Sequence, residues 1–202
     1  MHNKTLEEFS KLTFSNDPVP GGGGVSGAVG ALAASLSGMV TSLTTGKKKY
    51  AEYEQEIQTI MKKADELRIK LLDSINNDAI KFSPLAKAYS LPKDDPNRDQ
   101  KLEECLKLAA SSPFEILNLV KEVIILDSRL AVIGSKLAVS DAATSAMLAH
   151  GALYGAYVNI LVNTKLMKDK EYASKLEYES KEILDKYSEL AIQTYEDVLK
   201  RL

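Results

Sequence analysis

Residues 18–46 read PVPGGGGVSGAVGALAASLSGMVTSLTTG, and no side chain between Asp17 and Lys47 carries a charge. Pro18-Val19-Pro20 is a rigid, extended approach, and the spacing beyond it predicts a helix over about Gly23 to Thr45 with Gly46 as its left-handed cap. Gly27, Ala31, Ala34, Gly38, Thr41 and Thr45 fall on one stripe of that helix, with Val25, Leu32, Leu36, Met39 and Leu43 opposite. One face is expected to pack into an aliphatic core and the other to admit a very close neighbour. At its start, Gly21 to Gly24 would leave backbone N–H groups uncovered in the positive field of a helix N-terminus, where anions and polar ligand edges bind. Lys47, Lys48 and Lys49 stand at the far end. A full helix separates them from the glycines, so both ends can serve one ligand only if two copies of the helix run antiparallel.

Working outward, Thr5-x-x-Glu8 is a capping box that predicts a first helix to about Phe14. From Tyr50 the apolar positions become heptads, with Tyr50, Tyr53, Ile57, Ile60, Ala64, Leu67 and Leu71 alternating steps of three and four. Ser83-Pro84 should kink or break this helix, and Pro92 to Pro96 is a charged turn. Ser112-Pro113-x-Glu115 reads as a helix restart, with a core stripe of Ile116, Val120, Val123 and Ile124 running on to Ile133-Gly134. Asp169 caps a final amphipathic helix whose buried side is Leu184, Tyr187, Ala191, Val198 and Leu202. No segment alternates with period two for long enough to be a strand. The expected fold is an all-α bundle of long helices around two uncharged central helices, forming one domain over residues 1–202 that completes itself as a dimer.

The second uncharged helix begins at Ser140-Asp141, and only His150 can ionise between there and Lys165. Asp141, Ser145, Ala152, Asn159 and Asn163 share one of its faces, because eighteen residues make five whole turns. Buried polar groups need partners, and a ligand or a partner helix would supply them. A carboxylate at the edge of such a face is a candidate acid–base group. His150 lies about half a turn away from that face; it reads first as a satisfied core histidine and second as a catalytic group.

Composition narrows the function further. The net charge is −2 and no basic block exceeds three residues, so no nucleic-acid footprint is visible. Cys105 is the lone cysteine, which excludes a disulfide framework and fits a reducing cytoplasm. The N-terminus, Met1-His2-Asn3-Lys4-Thr5, is polar rather than an apolar signal core. Both uncharged helices are long enough to span a bilayer, but they are rich in Ser, Gly and Ala and the remaining helices are heavily charged, so buried central helices are the better reading. The glycine run lacks the lysine–hydroxyl pair of a phosphate-binding P-loop, and Asp, Glu and His nowhere cluster at metal-ligand spacing.

Taken together, Pro18-x-Pro-Gly-Gly-Gly, the small-residue helix, Gly46-Lys-Lys-Lys-Tyr50, Ala88-Tyr89-x-Leu91-Pro92, Ala138-Val139-Ser140-Asp141 and Val158-Asn159-x-x-x-Asn163-x-Lys165 resemble one family, in order and over nearly the whole chain. The chain is similar to the formiminotetrahydrofolate cyclodeaminase / methenyltetrahydrofolate cyclohydrolase family, which also forms the C-terminal half of a bifunctional formiminotransferase-cyclodeaminase. It departs from the family's usual pattern at Ser135-Lys136-Leu137, where asparagines are common, and at Gly24, where a small hydroxyl residue is common. The resemblance implies a cytoplasmic homodimer with a folate cleft built by both subunits and no cofactor or metal beyond the folate substrate. It further implies hydrolysis of 5,10-methenyltetrahydrofolate to 10-formyltetrahydrofolate, or alternatively ammonia release from formiminotetrahydrofolate. On this reading Asp141 and His150 are the catalytic candidates, and Pro20, Gly21, Gly22, Gly23, Lys47, Lys48, Lys49, Ser140, Asn159 and Asn163 hold the substrate. A dimeric helical scaffold without catalysis ranks third, since close packing explains the small residues but not Asp141, Asn159 and Asn163 on one face.

Overall fold

A computed structural model describes residues 3–202; Met1 and His2, part of the polar N-terminus read above, lie outside the described residues. The chain forms α1 (Leu6–Phe14), α2 (Gly22–Ser42), a 3₁₀ segment (Lys48–Tyr53), α3 (Glu54–Tyr89), α4 (Arg98–Ile133), α5 (Val139–Thr164) and α6 (Lys170–Leu199), with no strand among the described residues. The α1 capping box closes as expected, Thr5 and Glu8 each accepting the other's backbone N–H. Asp169 caps α6 by accepting the Tyr172 N–H at 3.0 Å. Gly46 takes φ +73°, although α2 itself ends earlier, at Ser42, in a turn closed by Thr41. The two uncharged helices are central: α2 packs on α3, α4 and α5, and α5 packs on α2, α4 and α6.

Neither proline interrupts its helix: α3 and α4 run through Pro84 and Pro113 without the expected break. A proline inside a helix costs about 3 kcal/mol. Around Pro113, however, Ala109, Ala110, Ile116 and Leu117 are all buried, and each large aliphatic among them is worth about 1.5–3 kcal/mol of burial. Pro84 lies on the exposed side, where the carbonyl it leaves without a donor is open to water. One terminal expectation also fails: Leu202 is 75% exposed, beyond the end of α6, whereas Leu184, Ala191 and Val198 are buried.

The two faces of α2 are used the opposite way from the one their chemistry suggests. Gly27, Ala31, Ala34 and Thr41 are buried inside the subunit, while Leu32 (56%) and Met39 (49%) stay exposed. The small residues are what allow α3 and α4 to approach. A β-carbon on Gly27 would lie 2.6 Å from Ser74 Oγ, and one on Gly30 would lie 2.9 Å from Val120. Gly38, by contrast, has nothing within 4 Å of that position.

The core also holds one carboxyl group. Asp127 of α4 is completely buried, with Oδ1 2.7 Å from the Ser37 hydroxyl of α2 and Oδ2 2.7 Å from the Ser145 hydroxyl of α5. Ser145 Oγ is also 2.7 Å from the Ala33 carbonyl. This cluster joins the three central helices and lies inside what the sequence presented as an apolar stripe.

Candidate functional site

Because α2 and α5 are antiparallel neighbours, the residues singled out by sequence, His150 apart, fall into two groups at opposite ends of the bundle. At the glycine end, α2 starts at Gly22 with Gly21 as N-cap and no capping side chain of its own. The expectation of four uncovered amides holds only in part. Gly23 and Gly24 are buried, and the Gly24 N–H is taken by the carboxylate of Asp78, which reaches across from α3. The glycines make room for polar side chains of neighbouring helices. A β-carbon on Gly22 would sit 2.7 Å from Asn159 Nδ2, one on Gly23 2.5 Å from Asp78 Oδ1, and one on Gly155 2.3 Å from Ser26 Oγ. Asn159 and Asn163 donate back along α5, to the carbonyls of Gly155 and Asn159, each at 2.8 Å. Pro20, buried and preceded by a cis peptide bond, closes this end.

Burial pushes the Asp78 carboxyl above the usual carboxylate range, opposed by Ser112, the Gly24 N–H and Lys81. Ser112 leans toward Asp78 closely enough to favour its charge, yet its buried hydroxyl closes no hydrogen bond of normal geometry. Lys81 is engaged with Glu115 of α4 at 3.3 Å.

At the lysine end, Lys47 donates to Ser135 Oγ at 3.2 Å, and the Ser135 N–H donates to Thr44 Oγ1 at 2.9 Å. The Lys136 N–H donates to the Tyr50 hydroxyl at 3.0 Å, and that bond holds the Tyr50 phenol below its usual range. Lys48 and Lys49 are exposed. Ser140 is exposed and Asp141 half-buried in the first turn of α5, the Asp141 carboxylate having no hydrogen bond or ion pair among the described residues. Ser135 and Lys136, where the chain departs from the usual asparagines, thus contact Lys47 and Tyr50 directly.

The two ends do not meet within one subunit. Asp141 and Asn159 share a face of α5, as expected, but eighteen residues of helix separate them by about 27 Å. His150 belongs to neither end. Its Nε2 is 2.9 Å from Ser188 Oγ of α6, its ring lies 4.9 Å from that of Tyr154, and burial lowers its pKa. No group of three or more His, Cys, Asp or Glu side chains that could hold a metal converges among the described residues. Asp78 and Asp127 were missed by sequence reasoning. Asp78 looks like one more surface charge on α3, and the only hint of it was indirect: consecutive glycines in a helix imply that something must come very close.

The sequence pattern of the formiminotransferase-cyclodeaminase family matches residues 5–182. The chain belongs to this family. Among its relatives, a methenyltetrahydrofolate cyclohydrolase of Methylorubrum extorquens is 34% identical, the match covering 99% of this chain and 98% of the relative. A formimidoyltransferase-cyclodeaminase of Mus musculus is 28% identical over 89% of this chain, which spans only 34% of that longer protein. The family fold is seen in the crystal structure of formiminotetrahydrofolate cyclodeaminase from Thermotoga maritima. That structure superposes with a TM-score of 0.84 at 31% identity, covering 98% of this chain and 95% of that one.

Proposed function

We propose that this chain is a folate one-carbon enzyme that hydrolyses 5,10-methenyltetrahydrofolate to 10-formyltetrahydrofolate, acting as one helical domain. The observation that carries this reading is the end-to-end match to a cyclohydrolase of nearly the same length. In this reaction the substrate's amidinium carbon is already electrophilic. Water adds to it, a base takes one water proton, and the adduct collapses with cleavage of the bond to N5, which is protonated. The second water proton goes to solvent. General acid–base catalysis by one group contributes about 10²–10⁴-fold, and no cofactor beyond the folate is required. Ammonia release from formiminotetrahydrofolate uses the same carbon with an internal nucleophile, and the Thermotoga maritima structure favours it as the second reading. Purified protein is expected to bleach the absorbance of methenyltetrahydrofolate and to release no ammonia from formiminotetrahydrofolate. Ammonia release without methenyl loss would reverse the assignment.

The two-ended geometry supports a homodimer in which an antiparallel pair of α2 helices sets one subunit's lysine end against the other's glycine end. Ser140, Asp141 and Lys47–Lys49 would then face Pro20–Gly23, Asn159 and Asn163 around one folate. In this arrangement Asp141 is the free carboxylate of the lysine end, while His150 serves the α5–α6 contact. The lone cysteine supports a reducing, cytoplasmic setting. Lys48 and Lys49, exposed at the protein surface, suit the glutamate tail of a folate as point charges. Lys48→Ala is therefore expected to raise KM more for a polyglutamylated folate than for the monoglutamate. High salt should erase the difference, since exposed charges are screened over about 8–10 Å. Equal losses on both substrates would make the lysine structural.

A further inference from the structure

We propose that Asp78, held by α3 against the first turn of α2, is the proton-transfer group at the glycine end of the site. The proposal rests on the folate hydrolase reading above and adds a residue that the sequence motifs do not contain.

Three observations on the page lead to it. First, the position is built for a carboxylate and for nothing larger on α2: a β-carbon on Gly23 would lie 2.5 and 2.6 Å from the two Asp78 oxygens. Second, this carboxylate is poorly compensated. It accepts the Gly24 N–H, Ser112 beside it closes no normal bond, and among the described residues it makes no ion pair. The charged groups around it are Lys81 on its own helix, which pairs with Glu115, and Glu115 itself on α4; the α2 segment that flanks it contributes none. Burial raises the pKa of this half-buried acid above the usual carboxylate range, which favours the return of the proton that a general base later acting as an acid requires. Third, the surrounding groups match the rest of the chemistry. The N–H groups of Gly22 and Gly23 have no partner among the described residues, and the Asn159 amide touches Gly22 from the other side. Two free donors and an amide beside an acid–base group can orient a water and hold a developing formyl oxygen.

The step balances as follows. As the water oxygen bonds to the amidinium carbon, the Asp78 carboxylate takes one water proton. As the carbon–N5 bond breaks, the Asp78 carboxyl gives that proton to N5, and the remaining hydroxyl proton passes to solvent as the formyl C=O forms. Asp141, about 27 Å along α5 in the same subunit, cannot serve this water from its own chain.

The alternative is that Asp78 only caps α2, and Asp78→Asn separates the two roles. Asparagine keeps an oxygen for the Gly24 N–H but cannot carry the proton. For Asp78→Asn, kcat for methenyltetrahydrofolate hydrolysis is expected to fall about 10²–10⁴-fold at similar KM, and the acid limb of the kcat/KM pH profile should vanish. Unchanged kcat with the limb intact would leave Asp78 as a cap and overturn the proposal. Gly23→Ala provides the second reading if Asp78→Asn fails to fold. It keeps the acid but displaces it, so it should lower kcat and shift the acid limb; a parental profile would overturn the proposal equally. Failure of the parent protein on both methenyl- and formiminotetrahydrofolate would instead overturn the function assigned above, which keeps the two failures distinguishable.

Discussion

An Asp127→Asn protein is expected to lose the fall in stability that the parent shows as pH rises from about 4 to about 8. The Asp127 cluster contains three contacts of 2.7 Å: Ser37 Oγ to Oδ1, Ser145 Oγ to Oδ2, and Ser145 Oγ to the Ala33 carbonyl. Two hydroxyl protons cannot serve all three. A neutral Asp127 supplies the third proton, donating to Ser145, which then donates to Ala33 while Ser37 donates to the carboxyl. Full burial pushes the same way, raising the Asp127 pKa to about 8 against the hydrogen bonds from Ser145 and Ser37. The folded state therefore keeps a proton that the unfolded chain releases near the ordinary aspartate pKa. Stability is greatest below the unfolded value, declines by about 1.4 kcal/mol per pH unit between the two values, and levels off above the higher one. Denaturant melts of parent and variant across pH 4–9 measure the difference directly. Carboxylates with lowered pKa, such as Asp99 and Asp169, slope the other way but are common to both proteins and cancel. Parallel curves would mean that Asp127 is ionised in the fold.

If the proposed dimer pairs through α2, Leu32→Glu is expected to turn it into a folded monomer at micromolar concentration. Leu32 and Met39 on α2, with Leu43 at its C-cap, form an exposed stripe, and Tyr154, Val158 and Val162 form another on α5. Both helices are long and apolar enough to cross a membrane by length and composition, but each is packed into the bundle along one side. Burying one leucine contributes about 1.5–3 kcal/mol. A two-fold interface loses it twice, so Kd should rise about 10²–10⁴-fold. Sedimentation velocity reads this, and an unchanged dimer would exclude the α2 stripe as the interface. Gly38→Leu is the companion variant. Nothing in its own subunit opposes a side chain there, so any effect on assembly reports a partner at that point.

Periodicity and capping chemistry carried most of the architecture. The heptads from Ile57 onward in α3 and the Thr5 and Asp169 caps need only local rules and appear where those rules put them; Gly46 is left-handed but does not cap α2, and Tyr50 and Tyr53 fall in the 3₁₀ segment ahead of α3. Pro113 misled because local cost was weighed without the tertiary burial that outweighs it, and Pro84 because an exposed helix face tolerates the lost hydrogen bond. The faces of α2 misled for a related reason: hydrophobicity ranks leucine above glycine for the core, but close approach of α3 and α4 ranks them the other way. At the candidate site, Gly22, Gly23 and Asn159 share one end of the bundle, and Lys47 lies near the α5 start that carries Asp141. Asp78 and Asp127 were hidden because one aspartate in an amphipathic or apolar helix has no local signature. Their hydrogen-bonding environments are made largely by other helices, through residues eighteen to ninety positions away.

The ties that seat α2 reach far down the chain: Thr44 to Ser135, Ser37 to Asp127 and Ser145, and Gly22 to Asn159. Synthesis from Ser42 to the end of α5 at Thr164 takes about 6–25 s at the usual 5–20 residues per second. Throughout that interval on the ribosome α2 is an uncharged helix without its later partners, one side lined with hydroxyls and the other with leucine and methionine. The segment that builds the glycine end is thus made early and becomes native late, with α3 the first of its packing partners to emerge.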